Sequence, residues 1–199
     1  MSKNRLEAFS DGVLAIAITI MVLELKAPQE GQSIRPALST FTSYVLSFLY
    51  VGIYWNNHHN MFQATHRVRG TVLWANLHLL FWLSLIPFVT AWMGNTHFAS
   101  YPVAAYGVVL LASAGAWTLL AWSLRKAHDP EDGLSKALGQ TGKEVESVCL
   151  YLAGIACAFW HPWLSCLLYT VVAFIWFVPD QRLEKAVKEE ETPHHDTTH

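Results

Sequence analysis

Two carboxylates bracket an apolar run near the start of the 199-residue sequence: Asp11 precedes residues 12–23 and Glu24 follows them. As a helix, this run covers roughly 18 Å, well short of the ~30 Å hydrocarbon core of a bilayer. Ionisable groups at membrane depth usually face the interior of a helix bundle or an aqueous path, and they need polar partners. Two hypotheses for Asp11 therefore stay open: an acceptor that packs helices together, and a group that lines an ion path.

Three histidines, His58, His59 and His78, invite a zinc or haem hypothesis. His58 and His59 are consecutive, so on a helix their side chains diverge by about 100° and do not easily share one ion. The chain has no HExxH motif and no matched set of Cys and His. We therefore predict no metal site, no cofactor and no enzymatic activity. A proton-coupled transporter that uses Asp11, Glu24 or His58 as a relay remains an alternative.

The composition is that of an integral membrane protein, since 53% of the residues are hydrophobic and only 14% are charged, against about 25% charged residues in soluble domains. Six apolar segments follow one another, at about 6–25, 37–62, 71–92, 103–124, 145–160 and 162–178. We predict an all-α fold of six transmembrane helices over residues 1–179, with the lipid bilayer and not nucleic acid as a partner. The charged segment 180–199 is predicted to be a disordered cytoplasmic tail.

Lys and Arg are concentrated in alternate loops. They precede the first segment, follow the second, separate the fourth from the fifth and follow the sixth. The opposite set of loops holds only Lys26 and Arg35. The positive-inside rule then places both termini in the cytoplasm.

The first apolar segment lacks the Trp and Tyr that are frequent in the others, so we expect it to be surrounded by protein or to line water rather than to face lipid. The polar residues at its cytoplasmic end have candidate partners at the same level on the second and third segments. Charge-assisted hydrogen bonds would satisfy every member of such a network. The predicted members are Arg5, Asp11, Asn57, His58 and Asn76.

The stretch "RLEAFSDG", residues 5–12, resembles the RxxxFSD signature of the transmembrane protein 175 family, the endolysosomal and prokaryotic potassium channels. The motif positions are Arg5, Phe9, Ser10 and Asp11. A WxxH pattern at Trp55 and His58 continues the resemblance, as does the dipeptide "NL" that begins at Asn76. These motifs cover the first three segments, and the last three agree in hydropathy alone.

The resemblance implies a channel rather than an enzyme. Family members of this length carry one six-span repeat and assemble as four-fold homotetramers, in which the first span of each subunit lines the pore. Conduction of potassium ions is implied, and in some members conduction of protons. The FSD residues and their polar partners, here including Trp55, would pack helices together rather than touch the ion. A single repeat without an N-terminal targeting sequence indicates the plasma (inner) membrane of a prokaryote.

Ile16, Ile20 and Leu23 fall on one helical stripe, with Thr19 at its edge. The spacing alone fits apolar packing against a neighbouring helix. The resemblance instead implies that the pore constriction lies at Ile16, with Ile20 and Leu23 further out and Thr19 near the ion. The chain contains no TVGYG motif, so we expect no filter of backbone carbonyls and instead a helix-lined pore whose narrowest part is made of side chains. Together with the resemblance, this predicts that a ring of Ile16 acts as a hydrophobic gate.

Overall fold

The computed structural model describes residues 3–28, 30, 33–65, 68–127, 138 and 142–177. Its regular elements are α1 (Lys3–Leu23), α2 (Arg35–Gln63), α3 (Gly70–Ser84), α4 (Ile86–Asn95), α5 (Ser100–Arg125), α6 (Gly142–Cys157) and α7 (Pro162–Phe177). No strand occurs within the described ranges, and the predicted all-α class is confirmed. The predicted tail at 180–199 lies outside the described residues.

Among the described residues, four helical stretches are long and apolar enough to cross a membrane. They are α1, α2, the stretch Gly70–Asn95 that contains α3 and α4, and α5. The fifth and sixth predicted segments also form helices, but α6 and α7 have 16 residues each within the described part of the chain, which is about 24 Å of helix. Six helical segments therefore match the six predicted ones, and four of them have full membrane-spanning length.

The third predicted segment differs from expectation, because it is not one continuous helix. α3 ends at Ser84 and α4 begins at Ile86. At the junction, the Leu85 N–H donates to the carbonyl of Trp82 at 3.1 Å, which tightens the last turn. Pro87 has no N–H, and its ring clashes with the carbonyl four residues earlier, so the α-helical pattern cannot run through this point. The stretch Gly70–Asn95 is still one candidate span of 26 residues, as predicted, but the interruption at Leu85 within it was not predicted.

The helices pack around α5, which contacts α3, α4, α6 and α7. α2 packs on α4 and also contacts α7. α1 lies at the side of the bundle, where its main contacts are with α2, α3 and α4. This arrangement covers only one face of α1 within the protomer.

A buried junction of hydroxyl groups joins α2, α4 and α5. The Oγ atom of Ser47 lies 2.6 Å from Oγ1 of Thr90 and 3.0 Å from the hydroxyl of Tyr106. All three side chains are buried. Because lipid offers no replacement hydrogen bonds, polar groups inside a membrane bundle are stable where they satisfy one another.

Close packing of α2 on α4 depends on Gly94. A Cβ atom built on Gly94 would lie 2.8 Å from the Cα of Thr40, on the backbone of α2. Gly115 is also a helical glycine, but a Cβ atom there would meet nothing within 4 Å.

We predict that Gly94→Ala lowers the melting temperature of the purified protein, because overpacking of this kind costs about 1–3 kcal/mol. Gly115→Ala serves as the control and should leave the melting temperature unchanged or raise it, since Ala favours helix over Gly by about 1 kcal/mol. Thermal unfolding followed by tryptophan fluorescence measures both. Equal shifts for the two variants would show that the α2–α4 contact is not tight.

Candidate functional site

α1 has one buried face. Its buried residues, Leu6, Ser10, Leu14, Ala17 and Met21, recur every three or four positions. This is the spacing of one stripe on an α-helix. The stripe faces α2, α3 and α4, which are the helices that α1 contacts. Packing against the protomer therefore uses one side of α1 along its whole length.

The predicted pore residues lie outside this buried stripe, on the exposed surface of α1. Ile16 is 59% exposed, Ile20 46% and Leu23 79%. Thr19 is exposed as well, and its hydroxyl donates a 2.8 Å hydrogen bond to the carbonyl of Ile16. The hydroxyl hydrogen is thus engaged by the helix backbone, and the oxygen lone pairs stay available on the exposed face. In the described part of the protomer, no apolar neighbour covers this stripe enough to bury it.

A buried hydrogen-bond cluster fixes α1 to α2 and α3. Asn76 on α3 donates through Nδ2 to Oγ of Ser10 on α1, at 3.0 Å. The Asn76 Oδ1 atom lies 2.8 Å from Nε2 of His58 on α2. Because Oδ1 can only accept, Nε2 carries the hydrogen in this contact. Ser10 donates in turn to the carbonyl of Leu6 at 2.9 Å. We refer to Ser10, His58 and Asn76 as the polar cluster.

Asp11 makes a separate contact on the same side of the bundle. The indole Nε1 of Trp55 donates to Oδ1 of Asp11 at 3.1 Å. One turn earlier on α1 and one turn later on α2, Glu7 pairs with Nδ1 of His59 at 3.0 Å. The two contacts form a ladder between antiparallel helices. The Glu7–His59 pair was not predicted from the sequence, because spacing along one helix does not show which residues of two helices meet.

Several predicted members of the network lie elsewhere. Arg5 is exposed, and no described residue gives it a hydrogen bond or an ion pair. Asn57 donates through Nδ2 to the carbonyl of Ile53, within its own helix, at 2.9 Å. It follows Asn56 and precedes His58 on α2, so its side chain points about 100° away from the polar cluster. Phe9 is 51% exposed.

The histidines point to different partners. His58 belongs to the polar cluster and His59 to the ladder, while His78 accepts a 3.0 Å hydrogen bond from the indole of Trp82 one turn along α3. Within the described ranges, no three His, Cys, Asp or Glu side chains are grouped as metal ligands.

A bundle of apolar helices whose buried polar side chains pair with one another is the architecture of a multi-span membrane protein. The family model described as "Endosomal/lysosomal potassium channel TMEM175" matches residues 5–87, from α1 into the start of α4. A protein named a potassium channel, from Chryseobacterium sp. (strain P1-3), is 52% identical over 191 residues, which cover 95% of this chain and 100% of the relative. The chain belongs to the TMEM175 family.

Two further comparisons extend this relationship. The crystal structure of a lysosomal potassium-selective channel TMEM175 homolog from Chamaesiphon minutus matches with a TM-score of 0.74 at 28% identity, covering 88% of this chain and 96% of that one. The protein named endosomal/lysosomal proton channel TMEM175 from Danio rerio is 29% identical over 119 residues, which cover 56% of this chain and 22% of the relative.

We predict that Asn76→Ala destabilises the protein more than Asn57→Ala does. Loss of the Asn76 amide leaves Ser10 and His58 without their shared partner, at a cost of about 1–3 kcal/mol. Asn57 is a matched control, because it is buried like Asn76 but bonds only within its own helix. Thermal unfolding of the two variants in the same detergent gives the comparison. A larger loss for Asn57→Ala would show that the polar cluster does not hold α1 in place.

Proposed function

We propose that this chain is the subunit of a potassium-selective channel, in which four copies surround an axis and α1 of each copy lines the pore. The observation that carries the proposal is the division of α1 into a buried stripe and an exposed apolar stripe. A helix with Ile16 and Leu23 exposed on the protomer needs either lipid, another subunit or a pore beside it. The absence of Trp and Tyr from α1 argues against lipid.

The relatives support the same function. The Chryseobacterium protein is named a potassium channel and the Chamaesiphon structure is described as potassium-selective, and both matches extend over most of this chain. A pore of helix side chains suits a sequence without a TVGYG motif. Such a pore does not use the ring of backbone carbonyls that strips the hydration shell in other potassium channels.

The exposed stripe contains side chains suited to forming the wall of a pore. Four Ile16 side chains around an axis would form an apolar collar, which gates by dewetting when it is narrow. The collar would also favour potassium over sodium, because sodium holds its hydration water more tightly. Ile20 and Leu23 continue the apolar wall. Thr19 presents oxygen lone pairs, and these can replace part of the water of a passing cation.

The contacts of Asp11 favour a structural role over an ionic one. Its Oδ1 atom accepts from Trp55 on α2, one of the helices against which α1 packs. We propose that Asp11 and the polar cluster fix the orientation of α1 about its own helix axis, so that Ile16 faces the pore axis. Removal of these bonds would change pore geometry indirectly, without removing an ion ligand.

The orientation and location follow from the charge pattern. We propose six spans per subunit, with both termini in the cytoplasm and the protein in the inner membrane of a prokaryote. The support is the excess of Lys and Arg in alternate loops, together with the bacterial source of the 52%-identical relative.

A proton-conducting channel is the second candidate. It is favoured by the vertebrate relative, which is named a proton channel. Protons can move along hydrogen-bonded water, so a transiently wetted collar could pass them without a binding site for a metal ion.

A current recording separates the two candidates. The purified protein in planar bilayers should give unitary currents that reverse near the potassium equilibrium potential under a potassium/sodium gradient. A pH gradient at equal potassium concentrations should then leave the reversal potential close to zero. Currents that follow the pH gradient would identify a proton channel, and slow saturable flux without unitary events would indicate a transporter.

Cysteine accessibility tests the pore stripe. The native thiols Cys149, Cys157 and Cys166 are first replaced by Ser. We predict that Ile16→Cys then reacts with a charged, water-soluble thiol reagent and loses current, while Leu14→Cys on the buried stripe does not react. In the same recordings, Ile16→Asn should raise open probability, because a polar ring holds water. Modification of Leu14→Cys and not of Ile16→Cys would place the pore elsewhere.

A further inference from the structure

The ladder between α1 and α2 has a third contact, at the beginning of α1. The Nζ atom of Lys3 donates to the backbone carbonyl of Gln63 at 2.9 Å. On each helix the contacts are four residues apart, so they lie on one face of that helix. The three pairs are Lys3–Gln63, Glu7–His59 and Asp11–Trp55. The ladder therefore extends over about two turns of each helix.

His59 is the member of the ladder that has a partner on each ring nitrogen. Its Nδ1 atom lies 3.0 Å from Oε1 of Glu7, and its Nε2 atom lies 2.9 Å from Nε2 of Gln63. An amide nitrogen can only donate, so Nε2 of His59 accepts from Gln63. The ring hydrogen is then on Nδ1, which donates to Glu7. These contacts satisfy a neutral imidazole completely.

The same surroundings also suit a protonated imidazole. Half a turn of the Gln63 amide would present its oxygen to Nε2, so that both ring hydrogens of His59 would have acceptors. The ring of His59 stacks on the indole of Trp55 at 15°, with the centroids 5.9 Å apart. A cation at about this distance is attracted to the face of an indole. The bond to Glu7 would become one between two ionised groups, and such bonds are the stronger ones.

The charged groups that face His59 come from α1. Glu7 pairs with it directly, Asp11 lies one turn further along α1, and Lys3 lies one turn earlier. α4 and α7, which also pack on α2, contain no Asp, Glu, Lys, Arg or His. His58 is adjacent on α2, but it points to the polar cluster, about 100° away.

The ionisable side chains of the remaining helices have other surroundings. On α3 the single one is His78, which accepts from the indole of Trp82. On α5 the single one is Arg125, which is exposed at the end of the helix. α6, with its charged first turn, packs mainly on α5 and α7. Glu7 is therefore the carboxylate that responds most directly to a charge on His59.

The Glu7–His59 pair is separate from the signature residues. In RxxxFSD, which begins at Arg5, Glu7 occupies a position at which any residue is allowed. The WxxH pattern ends at His58, one residue before His59. The role of this pair has to be argued from its own geometry.

We infer that His59 is a positioning residue for α1, and that its charge sets how firmly the beginning of α1 is held on α2. An imidazole changes its charge between about pH 5 and 8, while a carboxylate ordinarily stays ionised above about pH 5. The His59 side chain is 37% exposed, so protons reach it from water. The Glu7–His59 contact is thus strongest in mild acid, and it weakens as the pH rises through the titration of the imidazole.

The consequence for conduction rests on the proposed function, in which α1 lines the pore and its beginning lies in the cytoplasm. A firmer ladder restrains the tilt of α1. Opening of the Ile16 collar should then become rarer when the cytoplasmic side is acidified, without any proton entering the pore.

A double-mutant cycle tests the contact itself. Melting temperatures are compared for the wild type, Glu7→Gln, His59→Gln and the double variant, with the full chain in one detergent at about pH 5.5 and about pH 8.5. We expect the non-additive part of the loss in melting temperature to be at least about twice as large at the lower pH, because bonds between ionised groups are about twice as strong as neutral ones. Equal coupling at the two pH values would overturn the inference.

Two further variants show that the titrating group is His59. His59→Lys carries a positive charge at both pH values, so its coupling to Glu7 should no longer depend on pH. His78→Gln removes another exposed imidazole and should show no coupling to Glu7→Gln at either pH. Coupling that still depends on pH in His59→Lys, or that appears with His78→Gln, would assign the effect to another group and contradict the inference.

Current recordings test the consequence for the pore. Acidification of the cytoplasmic side from about pH 8 to about pH 6 should lower the open probability of the wild type severalfold and leave that of His59→Gln nearly unchanged. An equal response of the two proteins would show that His59 does not act on the pore. If the protein carries no potassium current, the proposed function fails, and the melting-temperature cycle still decides whether the charge of His59 holds α1.

Discussion

The amide of Asn76 joins three helices through two hydrogen bonds, one to Ser10 on α1 and one to His58 on α2. An amide donates through its nitrogen and accepts through its oxygen, so it can satisfy two different partners at once. Rotation of α1 by one residue, about 100°, would remove Ser10 from this contact and turn Ile16 toward the bundle. An unsatisfied buried polar group costs about 1–3 kcal/mol, which disfavours that rotation. The direction in which α1 presents its apolar stripe therefore depends on a side chain of α3.

The same constraint explains why small polar residues are frequent inside these apolar helices. Serine and threonine hydroxyls bond to carbonyls three or four residues earlier, as Thr90 does with Ile86 at 2.6 Å. With their hydrogens directed to the backbone, the oxygens are free to accept from another helix. Small side chains also let backbones approach, as at Gly94 beside Thr40. The buried polar residues in this bundle thus contribute to helix packing rather than marking a water-filled path.

Sequence patterns indicated much of this arrangement because they depend on local periodicity. The helical segments, the stripe that contains Ile16 and the common level of Asp11 and His58 all follow from spacing along single helices. Pairing between helices does not follow from spacing, because it depends on how each helix is rotated in the bundle. Asn57 was therefore assigned to the wrong side of α2. The break at Leu85 was missed because proline tolerance in membrane helices depends on neighbouring helices.

α1 is held differently at its two ends. Near Ser10 the contacts are directional hydrogen bonds, whereas further along, at Leu14 and Met21, they are apolar and allow sliding. A rod fixed by directional bonds at one end behaves as a lever with its pivot there. For a tilt of about 10°, Ile16, roughly 9 Å from the pivot, would move by about 2 Å, and Leu23, roughly 20 Å away, by about 3 Å. Small changes in the tilt of α1 would therefore widen or narrow the far end of the helix more than its middle.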